Sequence, residues 1–198
     1  MENIVFDLGG VLFARDRSKC TQEFHDFFSF IRSERMPLFW EAYDRGSSTL
    51  DEVVGILSEI NGCPREKCER YLRLSIDMQE PVVPTEQLVR DLKTAGYKLY
   101  VLSNMSREFI AFLRRFPVYG LFDGEVVSCE EGVVKPEPEI YRILLDRYGL
   151  EPSETLFIDD RPENIAAAAR FGIGGKVFDH HDPAATCDEL RRMLLPAK

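Results

Sequence analysis

The feature that most restricts the fold is a regular alternation of short apolar segments with longer helical segments from residue 85 onward. The apolar segments have the length of strands, and apolar residues recur with helical spacing between them. Because parallel strands can be joined only through a long crossover, usually a helix, this order predicts an α/β fold with a doubly wound parallel sheet. The predicted strands are 98–102, 124–128, 155–159 and 175–178, and the predicted helices are 85–95, 107–116, 137–148, 162–171 and 183–195.

A further apolar run, residues 4–6, has the composition of a central strand. It contains no polar residue, which is typical of a strand covered on both faces. Asp7 follows directly, and Gly9 and Gly10 then allow the backbone to turn sharply. Asp7 is therefore predicted at the carboxyl end of a strand, where open α/β sheets bind ligands, although an aspartate there can also serve only to cap a turn.

Residues 15–80 show helical spacing without the alternation that a strand would produce. Phe24, Phe27, Phe28 and Ile31 fall on one face of a helix. Because apolar stripes of this kind usually pack in a core, we expect these aromatic residues to form the core of a small helical bundle rather than a surface that stacks a substrate.

A proline-rich segment, residues 81–84, follows the helical block. Each proline disfavours the helical conformation of the residue before it, so this segment is predicted to be an extended connector and a hinge. The predicted division is a core made of residues 1–14 and 82–198, with an all-helical cap, residues 15–81, inserted after the first strand.

Composition limits the partners that this chain can have. The 198 residues carry a formal net charge of −9, and no basic segment offsets it, so we expect no nucleic-acid and no membrane partner. Five cysteines without Cys-x-x-Cys spacing predict reduced thiols. There is no basic-then-apolar leader and no apolar run of membrane-spanning length, and we therefore expect a soluble, cytoplasmic protein.

Two polar motifs lie in the predicted loops after the first helical block. Ser103 and Asn104 follow the strand at 98–102, where they can bind an anion at a helix N-terminus or simply cap that helix. Lys135 lies in a loop just before Pro136. A lysine in such a place is usually solvated, so this motif is weak when taken by itself.

Asp159 and Asp160 form a third motif, at the end of the apolar strand 155–159. Neighbouring carboxylates at a buried strand end repel each other unless a cation lies between them. This pair therefore favours a hard metal ion such as Mg²⁺ over a simple helix cap.

In order and context these residues resemble the four motifs of the haloacid dehalogenase-like hydrolase superfamily. The segments FDLGGVL and IDDRPEN resemble the branch that contains bacterial glucose-1-phosphate phosphatase and the phosphatase domain of soluble epoxide hydrolase. The resemblance covers nearly the whole chain, and it implies a Rossmann-like core, Mg²⁺, and hydrolysis of a small phosphorylated metabolite through an aspartyl-phosphate. The motif residues are Asp7, Ser103–Asn104, Lys135–Pro136 and Asp159–Asp160 with Asn164.

The resemblance also implies a role for each motif residue. Asp7 would attack phosphorus as the nucleophile, with Lys135 as the catalytic cation. The remaining residues would bind phosphate, bind the metal ion or support the metal site. The phosphate-binding residues would be Ser103, Asn104 and Lys135; the metal ligands would be Asp7, Gly9 through its carbonyl oxygen, and Asp160; and the supporting residues would be Asp159 and Asn164.

Gly9 is the one departure from the motif. Most phosphatases of this superfamily have a second aspartate at this position, two residues after the nucleophile, which acts as general acid and base. The anomeric oxygen of a sugar 1-phosphate leaves with less help from a proton than an ordinary alkoxide does. We therefore expect a sugar phosphate as the substrate.

Two other functions are compatible with parts of the pattern. A 2-haloacid dehalogenase would also use Asp7 as nucleophile, but it needs no metal ion, so the Asp159–Asp160 pair argues against it. A non-catalytic phosphate-binding regulatory protein would be expected to have lost more of the motifs than one aspartate. The segment His180–Asp182 is expected to be a solvated turn rather than a metal site.

Overall fold

The computed structural model describes residues 1–16, 19–32 and 36–195. Its centre is a sheet of five parallel strands, which confirms the predicted α/β class. The strands of the described residues are β1 (Asn3–Phe6), β2 (Phe13–Arg15), β3 (Gln79–Pro81), β4 (Lys98–Ser103), β5 (Gly124–Val127), β6 (Thr155–Asp159) and β7 (Gly174–Val177). The central sheet has the order β5-β4-β1-β6-β7.

Helices cover both faces of this sheet. The α-helices of the described residues are α1 (Gln22–Phe27), α2 (Leu38–Asp44), α3 (Leu50–Asn61), α4 (Arg65–Asp77), α5 (Val83–Thr94), α6 (Arg107–Leu113), α7 (Ser128–Glu131), α8 (Pro138–Tyr148), α9 (Pro162–Ala169) and α10 (Pro183–Leu194). Side chains alternate along β1, so Ile4 and Phe6 pack on one face with α5, α6 and α10, and Val5 packs on the other face with α8 and α9.

The boundaries of the predicted elements differ from the observed ones mainly at two places. The helix predicted at 107–116 ends at Leu113, because Pro117 disfavours a helical conformation before it, and a 3₁₀-helix, Pro117–Leu121, follows. The strand predicted at 124–128 ends at Val127, and Ser128 begins the short helix α7, which the sequence did not predict.

The inserted helices α1 to α4 have a hydrophobic cluster of their own. Phe24, Phe27 and Phe28 are buried in it with Trp40, as predicted for a bundle core. The cluster also includes Phe109 of α6, which belongs to the layer on the central sheet. The insertion therefore packs on the part of the core next to the carboxyl end of β4.

The chain enters and leaves the insertion through two short strands, where the sequence predicted no strand and an extended connector at 81–84. β2 and β3 pair antiparallel, with Phe13 opposite Pro81 and Arg15 opposite Gln79. The prediction of an extended connector was wrong from Val83 onward. Val83 begins α5, and Pro84 is tolerated because it lies in the first turn of that helix. Strands of three residues are too short to produce a periodic pattern.

No helix in the described part of the chain is both long enough and apolar enough to cross a lipid bilayer.

Candidate active site

Four loops meet at the carboxyl edge of the central sheet. Asp7 follows β1, Ser103 ends β4, Asp159 ends β6, and the loop with Lys135 follows α7. Because parallel strands end at the same edge, residues far apart in sequence come into contact here. The strand order also reverses at β1, which lies between β4 and β6, and the carboxyl edge at such a reversal is where open α/β sheets form a ligand-binding crevice.

The Asp7 carboxylate is the centre of a hydrogen-bonded group. Lys135 Nζ lies 2.9 Å from Asp7 Oδ1, and Ser103 Oγ donates to the same oxygen at 2.7 Å. Lys135 Nζ also lies 2.6 Å from Asp159 Oδ2 and donates to the carbonyl oxygen of Leu102 at 2.9 Å. The structure thus brings together one residue from each of the four predicted motifs.

Lys135 is a buried cation, and only 5% of it is exposed. Burial lowers its pKa, but the Asp159 and Asp7 carboxylates outweigh that effect and leave the pKa raised. The ammonium group therefore stays charged at neutral pH. A lysine in a loop is usually solvated. Lys135 is instead a fixed cation, because the folded chain buries it and holds it against Asp7 and Asp159.

Three carboxylates form a cluster, and two of them, Asp7 and Asp159, contact this cation. Asp7, Asp159 and Asp160 each have an oxygen within 4.8 Å of the others. Burial raises the pKa of Asp7, and the neighbouring Asp159 raises it further, while Lys135 and Ser103 lower it. Burial, with Asp7 and Asp159 nearby, raises the pKa of Asp160 to about 7. One lysine does not balance three carboxylates, and a cluster of carboxylate oxygens is the donor set that Mg²⁺ prefers.

The two adjacent aspartates differ in how they are bonded. Asp159 is fully buried, and its oxygens accept hydrogen bonds from the Arg161 main-chain nitrogen at 2.8 Å and from Asn164 Nδ2 at 3.0 Å, besides the contact with Lys135. Asp160 is partly exposed, and its Oδ2 lies 3.7 Å from His180 Nδ1. Asp160 is therefore the more accessible of the two to a ligand.

Asn104 lies next to Ser103 but bonds to another loop. Its Nδ2 donates to the carbonyl oxygen of Lys135 at 2.9 Å, and its Oδ1 accepts from the Lys135 main-chain nitrogen at 2.7 Å. The side-chain amide thus holds the Lys135 loop against the end of β4. A direct contact of Asn104 with phosphate stays a prediction.

Gly9 and Gly10 have different constraints. Gly10 has a φ of 79°, and a Cβ atom there would lie 2.7 Å from Asp160 Oδ2. Gly9 has no positive φ, and a Cβ atom there would meet only Met105 Cε, at 3.8 Å. Glycine is therefore required at position 10, whereas position 9 has room for a side chain.

The structure adds three residues that sequence reasoning did not place at the site. His180 lies in the predicted turn, yet its ring is next to Asp160. Arg161 acts electrostatically on Asp160 and on Asp44, the last residue of α2. Asp44 reaches the site from the insertion, and burial together with Asp7 raises its pKa to about 7. In the sequence, the segment Gly46–Ser48 interrupts the helical pattern two residues after Asp44, but nothing there marks Asp44 itself as a site residue.

A model of the haloacid dehalogenase-like hydrolase family matches residues 1–172 of the 198. The chain belongs to this family of hydrolases. The match spans all four motif positions and the inserted helices, and it confirms the resemblance inferred from the sequence.

This hydrolase is similar to two phosphatases over nearly the whole length of each chain. It is 32% identical to a sesquiterpene phosphatase of Aspergillus oryzae, over 96% of this chain and 95% of the relative. It is 27% identical to a D-ribitol-5-phosphate phosphatase of Bacteroides thetaiotaomicron, over 98% of both chains. Other curated relatives are longer proteins, and the chain spans less than half of their length.

A solved structure of a haloacid dehalogenase family enzyme from Bacteroides thetaiotaomicron, in complex with magnesium and inorganic phosphate, has a similar fold. The TM-score is 0.70 at 25% sequence identity, and the match covers 91% of this chain and 95% of that one.

Proposed function

We propose that this hydrolase is a Mg²⁺-dependent phosphatase that removes phosphate from a small phosphorylated metabolite through an aspartyl-phosphate on Asp7. The observation that carries the proposal is the position of the Asp7 carboxylate. It lies within hydrogen-bonding distance of the buried Lys135 ammonium group and the Ser103 hydroxyl, and within 4.8 Å of two further carboxylates. A nucleophile, a fixed cation and a metal-binding cluster in one crevice are what phosphoryl transfer requires.

The first step of phosphate-ester hydrolysis, formation of the aspartyl-phosphate, is a displacement at phosphorus. An Asp7 oxygen attacks the phosphorus atom, and the bond from phosphorus to the leaving oxygen breaks. Lys135 lowers the repulsion between the Asp7 carboxylate and the phosphate, and it needs no rearrangement to do so because Asp159 and Leu102 already hold it in place. Ser103, whose hydroxyl group donates a hydrogen bond to Asp7, would donate it to a phosphate oxygen when substrate binds.

The acidic cluster fits Mg²⁺, which Asp7, Asp160 and the carbonyl oxygen of Gly9 would hold. When bound, the ion would neutralise charge that develops on the phosphate oxygens. Asp159 would act from outside the ligand set, because its oxygens are already bonded to Lys135, Arg161 and Asn164. Magnesium with phosphate in a related structure of 25% identity supports this assignment.

Two classes of substrate are supported by relatives. A sugar or sugar-alcohol phosphate is the class expected from the sequence, and a D-ribitol-5-phosphate phosphatase covers the chain nearly end to end. A terpenoid phosphate is the second candidate, because a sesquiterpene phosphatase has the higher identity of the two, 32% against 27%. A panel of sugar 1-phosphates, polyol phosphates and prenyl phosphates distinguishes them.

The alternative functions make different predictions. A 2-haloacid dehalogenase would release halide from a 2-haloacid without added metal, whereas three clustered carboxylates support the use of a cation. A regulatory protein would bind phosphate without turning over. Both are tested by assaying halide release and phosphate release with the same preparation.

The deciding experiment is phosphate release by the wild type and by Asp7→Asn, with Mg²⁺ and with EDTA. The wild type should release phosphate only with Mg²⁺. Asp7→Asn should fold, since the side chain keeps its size and its hydrogen bond with Ser103, but it should lose turnover. Asp51→Asn, an exposed site in the insertion, is the matched control and should behave as the wild type. Turnover by Asp7→Asn would contradict the proposed function.

A further inference from the structure

The proposed mechanism lacks a proton donor at the position where the superfamily carries one. Gly9 occupies this position, two residues after the nucleophile Asp7, and glycine has no side chain that could donate a proton. An alkoxide is a poor leaving group unless it receives a proton as its bond to phosphorus breaks. The proton donor must therefore be another group in the crevice.

Most acids near the site are already engaged. Asp159 accepts hydrogen bonds on both carboxylate oxygens. Asp160 and Asp7 belong to the proposed metal site. Glu41, one turn before the end of α2, forms an ion pair with Arg45 at 2.8 Å. Among the carboxylic acids of the described residues that the structure brings to the site, Asp44 is the one outside these contacts.

The backbone at Asp44 is fixed against the core by a series of contacts from consecutive residues. Tyr43 OH donates to Glu108 of α6 at 2.8 Å. The main-chain oxygen of Asp44 accepts from Ser128 Oγ at 2.5 Å. Arg45 makes two hydrogen bonds of 2.8 Å to Glu137, two residues after Lys135.

Ser128 also ties Asp44 to the phosphate-binding side of the crevice. Its Oγ accepts from the Met105 main-chain nitrogen at 2.9 Å while donating to Asp44. Met105 directly follows Ser103 and Asn104, and its side chain is the nearest neighbour of a Cβ atom placed on Gly9. Asp44 is thus held on the same side of the crevice as Gly9.

Among the described residues, none donates a hydrogen bond to the Asp44 carboxyl group or forms an ion pair with it, and the hydrogen bond from Ser128 goes to the main-chain oxygen. Desolvation is the main reason that its pKa is raised to about 7, so both its protonated and its charged form are populated near neutral pH. The charged groups that act on it are Asp7, Arg161, Lys135 and Glu41.

We propose that Asp44, carried by the inserted helices, is the general acid and base of the reaction. It would replace the aspartate that most phosphatases of the superfamily have at the position of Gly9. This inference rests on the proposed phosphatase function. It adds a catalytic residue that lies outside the four motifs. It also gives the insertion a chemical role, because only a docked insertion places Asp44 at the crevice.

The two steps then balance. In the first, an Asp7 oxygen forms a bond to phosphorus, the bond from phosphorus to the leaving oxygen breaks with its electron pair, and the Asp44 carboxyl proton passes to that oxygen to give the free alcohol. In the second, a water oxygen attacks the aspartyl-phosphate while the Asp44 carboxylate takes a proton from the water. The bond between phosphorus and Asp7 breaks, the electron pair returns to Asp7, and phosphate leaves.

The test compares p-nitrophenyl phosphate with benzyl phosphate in the wild type and in Asp44→Asn, in the presence of Mg²⁺. p-Nitrophenolate leaves without a proton, so Asp44→Asn should still give a rapid burst of it, followed by slow turnover because water lacks its base. Benzyl alcohol needs a proton to leave, so its release should fall by roughly 10² to 10⁴ already in the first turnover. The wild-type pH dependence on the basic side should disappear for benzyl phosphate in the variant.

A second variant separates a chemical role from a structural one. Gly9→Asp has room for its Cβ and places a carboxyl group where the superfamily has its acid. In the Asp44→Asn background, Gly9→Asp should restore benzyl phosphate turnover by at least about tenfold, a small part of what a general acid contributes. Asp51→Asn, the exposed control, should leave both substrates unaffected.

The outcomes distinguish the role of Asp44 from the phosphatase function itself. If the wild type releases phosphate, Asp7→Asn does not, and Asp44→Asn slows the first turnover of both substrates equally without rescue by Gly9→Asp, then Asp44 is not the acid and the phosphatase function stands. If the wild type releases no phosphate from either substrate, the function itself is wrong, and the inference about Asp44 is overturned with it.

Discussion

At the scale of single residues, the site is governed by an imbalance of charge. One buried ammonium group, that of Lys135, contacts Asp7 and Asp159, and the third carboxylate, Asp160, lies within 4.8 Å of those two. Burying carboxylates without enough cations is unfavourable, and the raised pKa of Asp160, about 7, expresses that cost. The folded protein can relieve it by binding protons or by binding a metal ion.

This competition predicts how stability depends on pH. Asp160 holds its proton in the folded state up to about pH 7 but loses it near 3.8 when unfolded, so the folded state binds more protons between these values. In EDTA the free energy of unfolding should therefore fall as pH rises through this range, and Asp44 and Asp7 contribute with the same sign. Asp160→Asn should remove part of the decrease, on the order of 1–3 kcal/mol between about pH 5 and about pH 8.

Urea denaturation at the two pH values measures this effect. Mg²⁺ should stabilise the wild type strongly at the higher pH and weakly at the lower one, because protons compete with the ion for the same carboxylates. It should stabilise Asp160→Asn much less at either pH. Equal stabilisation of both proteins by Mg²⁺ would show that Asp160 is not a ligand.

At the scale of elements, the contact between α2 and the core decides where Asp44 lies. The turn after α2 contains Gly46, which has a φ of 76° and packs so tightly that a Cβ atom would lie 2.5 Å from the carbonyl oxygen of Cys129. The glycine thus serves two purposes. It ends the helix, and it lets the insertion approach α7 closely.

Two glycine substitutions separate these purposes. Gly62 ends α3 with a φ of 58°, and nothing lies within 4 Å of the position that its Cβ atom would take, so Gly62→Ala should cost only about 1 kcal/mol for the left-handed conformation. Gly46→Ala should cost about 1–3 kcal/mol more, because the α7 backbone must shift. It should also slow benzyl phosphate turnover through displacement of Asp44. Equal stabilities of the two variants in urea denaturation would mean that the close approach at Gly46 has no energetic importance.

At the scale of the whole molecule, we propose that the inserted helices form a unit separate from the core. They have a hydrophobic cluster of their own, and the core clusters on the two faces of the central sheet contain no residue of α1 to α4 among those described. The chain also enters and leaves the insertion at one place, the ribbon of β2 and β3. Phe109 of α6 is the core residue buried in the cluster of the insertion.

The ribbon allows the insertion to be removed cleanly. Arg15 lies opposite Gln79, so residues 16–78 can be replaced by an Asn-Gly turn that closes a two-residue hairpin. The shortened protein should unfold cooperatively in urea, at a lower midpoint because Phe109 becomes exposed. It should keep the p-nitrophenol burst and lose benzyl phosphate turnover with Asp44. Loss of the cooperative transition would show that insertion and core fold as one unit.

The parallel sheet and the positions of Asp7, Ser103 and Asp159 at its edge could be predicted from the order of residues along the chain. Each of these follows from a local pattern, since a short apolar run followed by a polar residue marks the carboxyl end of a buried strand, and such ends share one edge of a parallel sheet. Asp7, Ser103 and Asp159 were therefore predictable at the edge where they are found.

How the insertion meets the core depends on contacts that form only in the folded chain. The pairing of β2 with β3 and the contact of Arg45 with Glu137 join residues that are distant in sequence, 92 positions apart for the second pair, and no periodic pattern marks them. The same holds for Asp44, which in sequence is one of many polar residues at a helix end. Its desolvation, and hence its raised pKa, exists only when α2 is docked on the carboxyl edge of the sheet, because desolvation depends on what surrounds a group in space and not along the chain.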